Sequence, residues 1–179
     1  LSAFDEVTVV VTAGPVQTQT PFSGTPFAVG ATIQAEQFDN GGTGVAFFDS
    51  DSTNNGGKYR TDTGVDIENT TDSGGGFNVA YAVAGEWLEY TINVVTAGNY
   101  VLSSRVAHAS NGGTFHVEFN GTNKTGAIAI PNTGGWQNWQ TVTRTVNLQA
   151  GIQVMRVAMD TNGVFGFTGN FNWFKLTTA

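Results

Sequence analysis

The spacing of turn signals constrains this chain more than any other feature. Short runs of alternating apolar and polar residues are separated by Gly-, Asn- and Pro-rich breaks. Glu86-Trp87-Leu88-Glu89-Tyr90-Thr91-Ile92-Asn93-Val94 alternates with the period of two that a half-buried strand requires. Ala97-Gly98-Asn99 then turns the chain into Tyr100–Ala107, Gly112-Gly113 turns it into Thr114–Phe119, and Asn120-Gly121 is a hairpin signal. Phe77–Tyr81, Ala127–Ile130, Gln140–Leu148, Gln153–Met159 and Asn172–Leu176 complete the set. Roughly nine or ten short strands at this spacing predict an all-β chain, a β-sandwich of jelly-roll type. No stretch keeps a helical period, and no internal repeat is present.

With 13 Phe and 40% hydrophobic residues, the chain can build a large core. It has no Cys, so that core or a metal must supply what disulfides would otherwise give. Only 12% of residues are charged and the formal net charge is −7. That sign makes nucleic acid and anionic membranes poor partners, but it suits neutral polymers and cations such as calcium. No apolar run approaches a membrane span, and the first residues read as carrying no signal peptide. The Gly, Thr and Asn content with few charges reads as a secreted, extracellular bacterial protein, expected as a monomer. The abrupt start at Leu1 reads as a piece of a longer chain.

The sequence divides into three parts. Residues 1–13 contain the β-branched run Glu6–Thr12, a strand without a nearby hairpin partner, and Leu1–Val9 resembles the last strand of a PKD-type, immunoglobulin-like domain. Residues 14–30 hold three of the four prolines and read as an extended linker packed on the main domain through Phe22 and Phe27. Residues 31–179 form the main domain. Its first strand is predicted over Ala31–Phe38, with Ile33, Ala35 and Gln37 on one face and Gln34, Glu36 and Phe38 on the other. Asp39–Gly76 is a long irregular segment with short strands near Val45–Phe48 and Val65–Glu68. A connection of that length is usually functional.

Pro131 and Gly134-Gly135 break regular structure just before Trp136. An indole held at a loop tip suits stacking on the C–H face of a sugar ring, with a core role as the alternative; Trp139, at the strand start, is expected in the core. Nothing marks a catalytic centre. Glu86 and Glu89 point to opposite faces of one strand, and Glu68 and Glu118 lie in no paired-acid motif. His108 and His116 have no metal-ligand spacing, and there is no Gly-x-Ser-x-Gly. Asp49–Gly56 has the acidic look of an EF-hand loop but lacks its terminal Glu and flanking helices.

Over residues 31–177 the chain resembles a family 6 carbohydrate-binding module. The pieces are Ile33-Gln34-Ala35-Glu36, Asp72–Tyr81, Ala84–Tyr90, Ala97–Tyr100, Arg105-Val106-Ala107, Pro131–Thr141, Leu148–Gly151 and Asn170–Phe174. The resemblance implies a jelly roll that binds polysaccharide without cutting it, attached in the same chain to a glycoside hydrolase. It implies a loop-edge cleft in which Tyr81 and Trp136 sandwich a sugar while Asn170 and Glu68 bond its hydroxyls. A second cleft on a sheet face would involve Trp87 and Glu118, although the alternation around Trp87 favours the core. A structural calcium would be held near Gln34, Glu36 and Asn172. Val45–Asp66 is longer than in compact members, and its Phe47, Phe48, Tyr59 and Arg60 are expected to wall one end of the cleft. The ligand expected is β-1,3-glucan of laminarin type, then agarose, then xylan. A spacer or adhesion domain without a sugar ligand is the rival class.

Overall fold

The computed structural model describes residues 17–179. The expected PKD-like strand over residues 1–13 lies outside them. The described residues form thirteen strands and no helix. In order these are β1 (Phe27–Ala28), β2 (Thr32–Gln34), β3 (Phe47–Phe48), β4 (Ile67–Asn69), β5 (Phe77–Ala82), β6 (Trp87–Val94) and β7 (Gly98–His108). They continue with β8 (Thr114–Phe119), β9 (Thr122–Asn123), β10 (Ile128–Ala129), β11 (Gly135–Leu148), β12 (Gly151–Thr161) and β13 (Gly169–Thr178). One sheet runs β1-β6-β12-β8-β10, with β3 on β6 and β9 on β8; the other runs β11-β7-β13-β5-β4, with β2 on β13. This is the expected β-sandwich.

The alternating strands lay one face on the other sheet. From β6, Leu88, Tyr90, Ile92 and Val94 point inward and are buried, meeting Val106, Phe171 and Phe174 of the facing sheet in a single core. Phe115 and Phe171 meet edge to face at 5.1 Å, and Tyr90 and Phe174 pack tilted at 5.5 Å. The Tyr90 hydroxyl donates to the Ala35 carbonyl at 2.8 Å, so the core phenol leaves no orphan. Each buried aromatic contributes about 1.5–3 kcal/mol by leaving water, enough in sum for a disulfide-free sandwich.

Several local expectations change. The first strand stops at Gln34, where the Gln37 N–H donates to the Gln34 carbonyl and turns the chain. The in–out alternation therefore ends early: Phe38 is fully buried and Gln37 only partly so. Residues 17–30 lie against the sandwich. Thr20 bridges Asn40, Phe27 pairs in parallel with Ile92, and Gln19 Nε2 donates to Asp39 at 2.8 Å. Trp87 is not in the core: position parity on β6 sets it opposite Leu88 and Tyr90, half-buried on the outer face. Trp139 is also half-buried, outside the core, with its Nε1 unpartnered.

Candidate functional site

Two irregularities in one sheet create the site. On β13, Gly169 pairs with Ala82 and Phe171 with Val79, so β5 carries an extra residue over Ala80–Tyr81. Tyr81 takes up that excess with a positive φ of 53°, and its ring projects 43% exposed. A left-handed backbone at a non-glycine residue costs about 1–2 kcal/mol and persists where surrounding structure enforces it. On β11, Gly135 pairs with His108 but the next pair is Gln140 with Val106. Trp136–Trp139 therefore leave the ladder, which starts Trp136 inside a strand rather than on the expected loop tip. Bulges re-aim side chains in this way.

Between these irregularities lies a cavity of about 240 Å³ lined by Glu68, Ala80, Tyr81, Trp136, Phe167 and Asn170. Phe167 packs edge-on against both aromatics, with its centroid 5.8 Å from Tyr81 and 5.9 Å from Trp136. The polar end is tightly organised. Glu68 Oε1 accepts from Gln137 Nε2 at 2.7 Å, Asn170 Nδ2 at 3.1 Å and Asn78 Nδ2 at 3.3 Å. Asn170 Nδ2 also donates to the Trp136 carbonyl at 2.9 Å, and Gln137 Oε1 accepts from the Thr71 N–H at 2.9 Å. Among the described residues, Glu68 Oε2 and Asn170 Oδ1 take no protein hydrogen bond, so both remain as acceptors for a ligand. The arrangement offers apolar ring faces beside fixed acceptors, which is what a polyhydroxylated ring requires.

The structure thus brings together Tyr81, Trp136, Asn170 and Glu68, and adds Phe167 and Gln137, which sequence reasoning missed. Tyr59 is elsewhere: its ring packs on Phe77 at 5.0 Å and Phe22 at 6.4 Å and does not line the cavity. Nor do Phe47, Phe48 and Arg60 wall the cleft. Phe47 is core, Phe48 pairs with Trp87, and the Arg60 guanidinium lies 3.8 Å over the Phe38 ring, its pKa lowered by burial. The long segment supplies different residues. Ser50, Asp51, Asn55 and Asp66, with Val83 and Glu86, line a neighbouring cavity of about 400 Å³ that shares Tyr81 and Phe167. Glu86 anchors it, accepting from the Ser50 hydroxyl at 2.7 Å and the Val83 N–H at 2.9 Å. A roomier cavity of about 490 Å³ beside Asp49, Asp62 and Arg60 has Phe47 as its single aromatic and no paired ring faces, so the smaller slot fits a sugar better.

Trp87 and Glu118 do share the outer face of the other sheet. Trp87 pairs with Ala158, and Arg156 with both Glu89 and Glu118. Arg156 lies 4.1 Å over the Trp87 ring and bonds Glu89 at 2.6 Å, covering the indole face. Glu118 is engaged by His116 Nε2 at 3.3 Å, whose Nδ1 meets Asp160 at 2.6 Å.

A two-sheet sandwich with an aromatic slot beside fixed hydrogen-bond acceptors is the build of a carbohydrate-binding module. The family model "Carbohydrate binding module (family 6)" matches residues 55–178, and the chain belongs to that family, one of non-catalytic binding modules. The module of Cellvibrio mixtus lichenase 5A, solved in complex with cellotriose, is 35% identical with a TM-score of 0.63, covering 84% of this chain and 98% of that one. A β-1,3-glucan binding module from Bacillus halodurans is 26% identical with a TM-score of 0.65, covering 87% and 100%. The clotting factor G alpha subunit of Tachypleus tridentatus is 35% identical over 121 residues, 66% of this chain. The chain spans only 17% of that relative's length.

The calcium expected near Gln34, Glu36 and Asn172 meets a partial fit. Glu36 is 5% exposed, its Oε2 has no partner, and burial raises its pKa to about 7. A cation would satisfy that carboxylate. Asn172 gives its amide to Asp72 at 2.8 Å, and Gln34 sits half-buried opposite Trp173. Among the described residues no group of three or more acidic, His or Cys side chains forms a metal cluster, so carbonyl oxygens would have to complete the sphere.

Proposed function

We propose that this module binds a β-1,3-glucan of laminarin type, holding a sugar ring between Tyr81 and Trp136. The observation that carries the reading is the slot itself: two aromatics set by ladder irregularities, beside the unused acceptors Glu68 Oε2 and Asn170 Oδ1. The linkage rests on the Bacillus halodurans module described as β-1,3-glucan binding. The cellotriose complex of the lichenase module favours a β-1,4-glucan as the second reading. Asp51, Asp66 and Glu86 around the adjoining cavity support a neutral polymer over an anionic one. With Arg156 over Trp87, the ligand is assigned to the slot and not to that sheet face. In its full-length context the module would be secreted and would tether a glycoside hydrolase to its substrate, raising local concentration. Calcium bound through Glu36 would serve the fold and not the sugar.

Affinity gel electrophoresis in laminarin, mixed-linkage glucan, agarose and xylan tests the reading, with reducing-sugar release followed in parallel. Wild type should be retarded by laminarin without releasing sugar, and Trp136→Ala should migrate freely. Absence of retardation by every polymer returns the spacer reading. Retardation that survives Trp136→Ala moves the site away from the slot.

A further inference from the structure

One exposed aromatic beside the slot is used by nothing described so far. Phe165 lies in the connection from β12 to β13 and is 56% exposed, with Val164 beside it at 65%. Its ring centroid is 6.1 Å from that of Trp136, and Phe165 lies outside the lining of the cavity. Tyr81, Phe167, Trp136 and Phe165 are linked by successive centroid separations of 5.8, 5.9 and 6.1 Å.

The loop that carries Phe165 is clamped. The Val164 N–H donates to the Asn111 carbonyl at 3.0 Å, Gly163 N–H to Phe167 at 2.8 Å and Gly113 N–H to Thr168 at 2.9 Å. A Cβ on Gly163 would stand 2.5 Å from the Asn111 carbonyl oxygen, and one on Gly113 would stand 1.7 Å from that of Thr161. Only glycines allow the two backbones this close. Beneath, the fully buried His108 ring stacks on Phe165 at 6.0 Å and 13° and touches Trp136 edge-on at 4.4 Å. A ring that served only to brace its neighbours would be buried by them. This one is fixed and left open, the state in which stacking a ligand costs little ordering.

We propose that Phe165 is a further sugar subsite, stacking the unit next to the one held between Tyr81 and Trp136. The proposal rests on the slot reading and adds a length requirement to it. An exposed ring centred 6.1 Å from Trp136 and outside the cavity is within reach of the neighbouring unit of a bound chain, so Phe165 recognises an oligomer and not a monosaccharide.

Isothermal titration of the full chain separates the two readings. The probes are glucose, xylose and the laminari-, cello-, agaro- and xylo-oligosaccharide series. Phe165→Ala should weaken the longer members of the bound series by about three- to tenfold. The same variant should leave the shortest member that binds unchanged, and Phe165→Trp should restore the long-chain affinity. An equal loss at every length makes Phe165 a brace for Trp136 and overturns the subsite; no loss at any length also overturns it. Failure of the slot reading has a different signature: Trp136→Ala then keeps wild-type affinity throughout, or wild type binds no probe.

Discussion

Tyr81 gives the sharpest test of how the site is built. Its φ of 53° costs about 1–2 kcal/mol for any residue with a Cβ. Glycine avoids that cost but brings about 0.5–1 kcal/mol of extra backbone entropy to lose. The balance favours glycine over alanine by about 0.5–1 kcal/mol. Both changes remove the half-exposed ring and its edge contact with Phe167. The difference between Tyr81→Gly and Tyr81→Ala therefore isolates the backbone. In an ordinary strand position alanine would be the more stable of the two. Here Tyr81→Gly should melt about 1–4 °C above Tyr81→Ala, the shift such an energy gives a domain of this size. Urea unfolding of both variants measures the same gap at constant temperature. Both should lose polysaccharide binding alike. If Tyr81→Ala proves as stable as Tyr81→Gly, the extra residue in β5 is not held left-handed and the account of how Tyr81 reaches the slot is wrong.

Three further outcomes follow from the hydrogen bonds and buried charges. Gln137→Ala removes the 2.7 Å donor to Glu68, and sugar affinity should fall about tenfold or more by calorimetry, since a bond to a charged group contributes about 1.5–3 kcal/mol. Asp72 accepts from Arg105 Nε and Nη2, both at 2.8 Å, and these bonds, with that of Asn172, hold its pKa low. Its contribution is present above the ordinary carboxylate pKa and is lost as pH falls through the lowered one. Asp72→Asn should flatten the acid limb of a stability-versus-pH curve by up to about 1 kcal/mol, because the pair is partly solvated. Glu36 has the opposite sign: with a pKa raised to about 7, its contribution is full below the ordinary carboxylate value of 4.5 and is lost as pH rises through 7. Without metal, melting temperature should drop across that window. Calcium should recover the loss at pH 8, and Glu36→Gln should abolish both effects.

The strands were legible because alternation reports burial directly: β8 and its Asn120-Gly121 turn match, with Asn120 and Gly121 both at positive φ. Tyr81, Trp136, Glu68 and Asn170 were reached through the resemblance, not through any local pattern. Tyr59 was misplaced because an irregular segment has no period to fix its direction. Trp87 was misread although the signal was present: it alternates out of phase with Leu88, Tyr90 and Ile92. Phe167 and Phe165 had a weaker signal, two aromatics spaced among Gly163, Gly166 and Gly169 in a connection with no strand of its own. Gln137 had none, since its role depends on a bulge that no residue type announces.

The glycine clamp on the β12–β13 connection separates two properties that usually trade against each other. The loop's shape is set by backbone contacts at Gly113 and Gly163, while positions 164 and 165 spend most of their surface in solvent. Side chains at the tip, which meet the interior where Phe165 stacks on His108, can therefore be varied while the backbone frame stays set, as in a binding scaffold with a fixed framework and a variable tip. A library at 164 and 165 should yield folded proteins at high frequency and differ among them in glycan preference. Alanine at Gly113 should instead unfold the loop whatever stands at its tip.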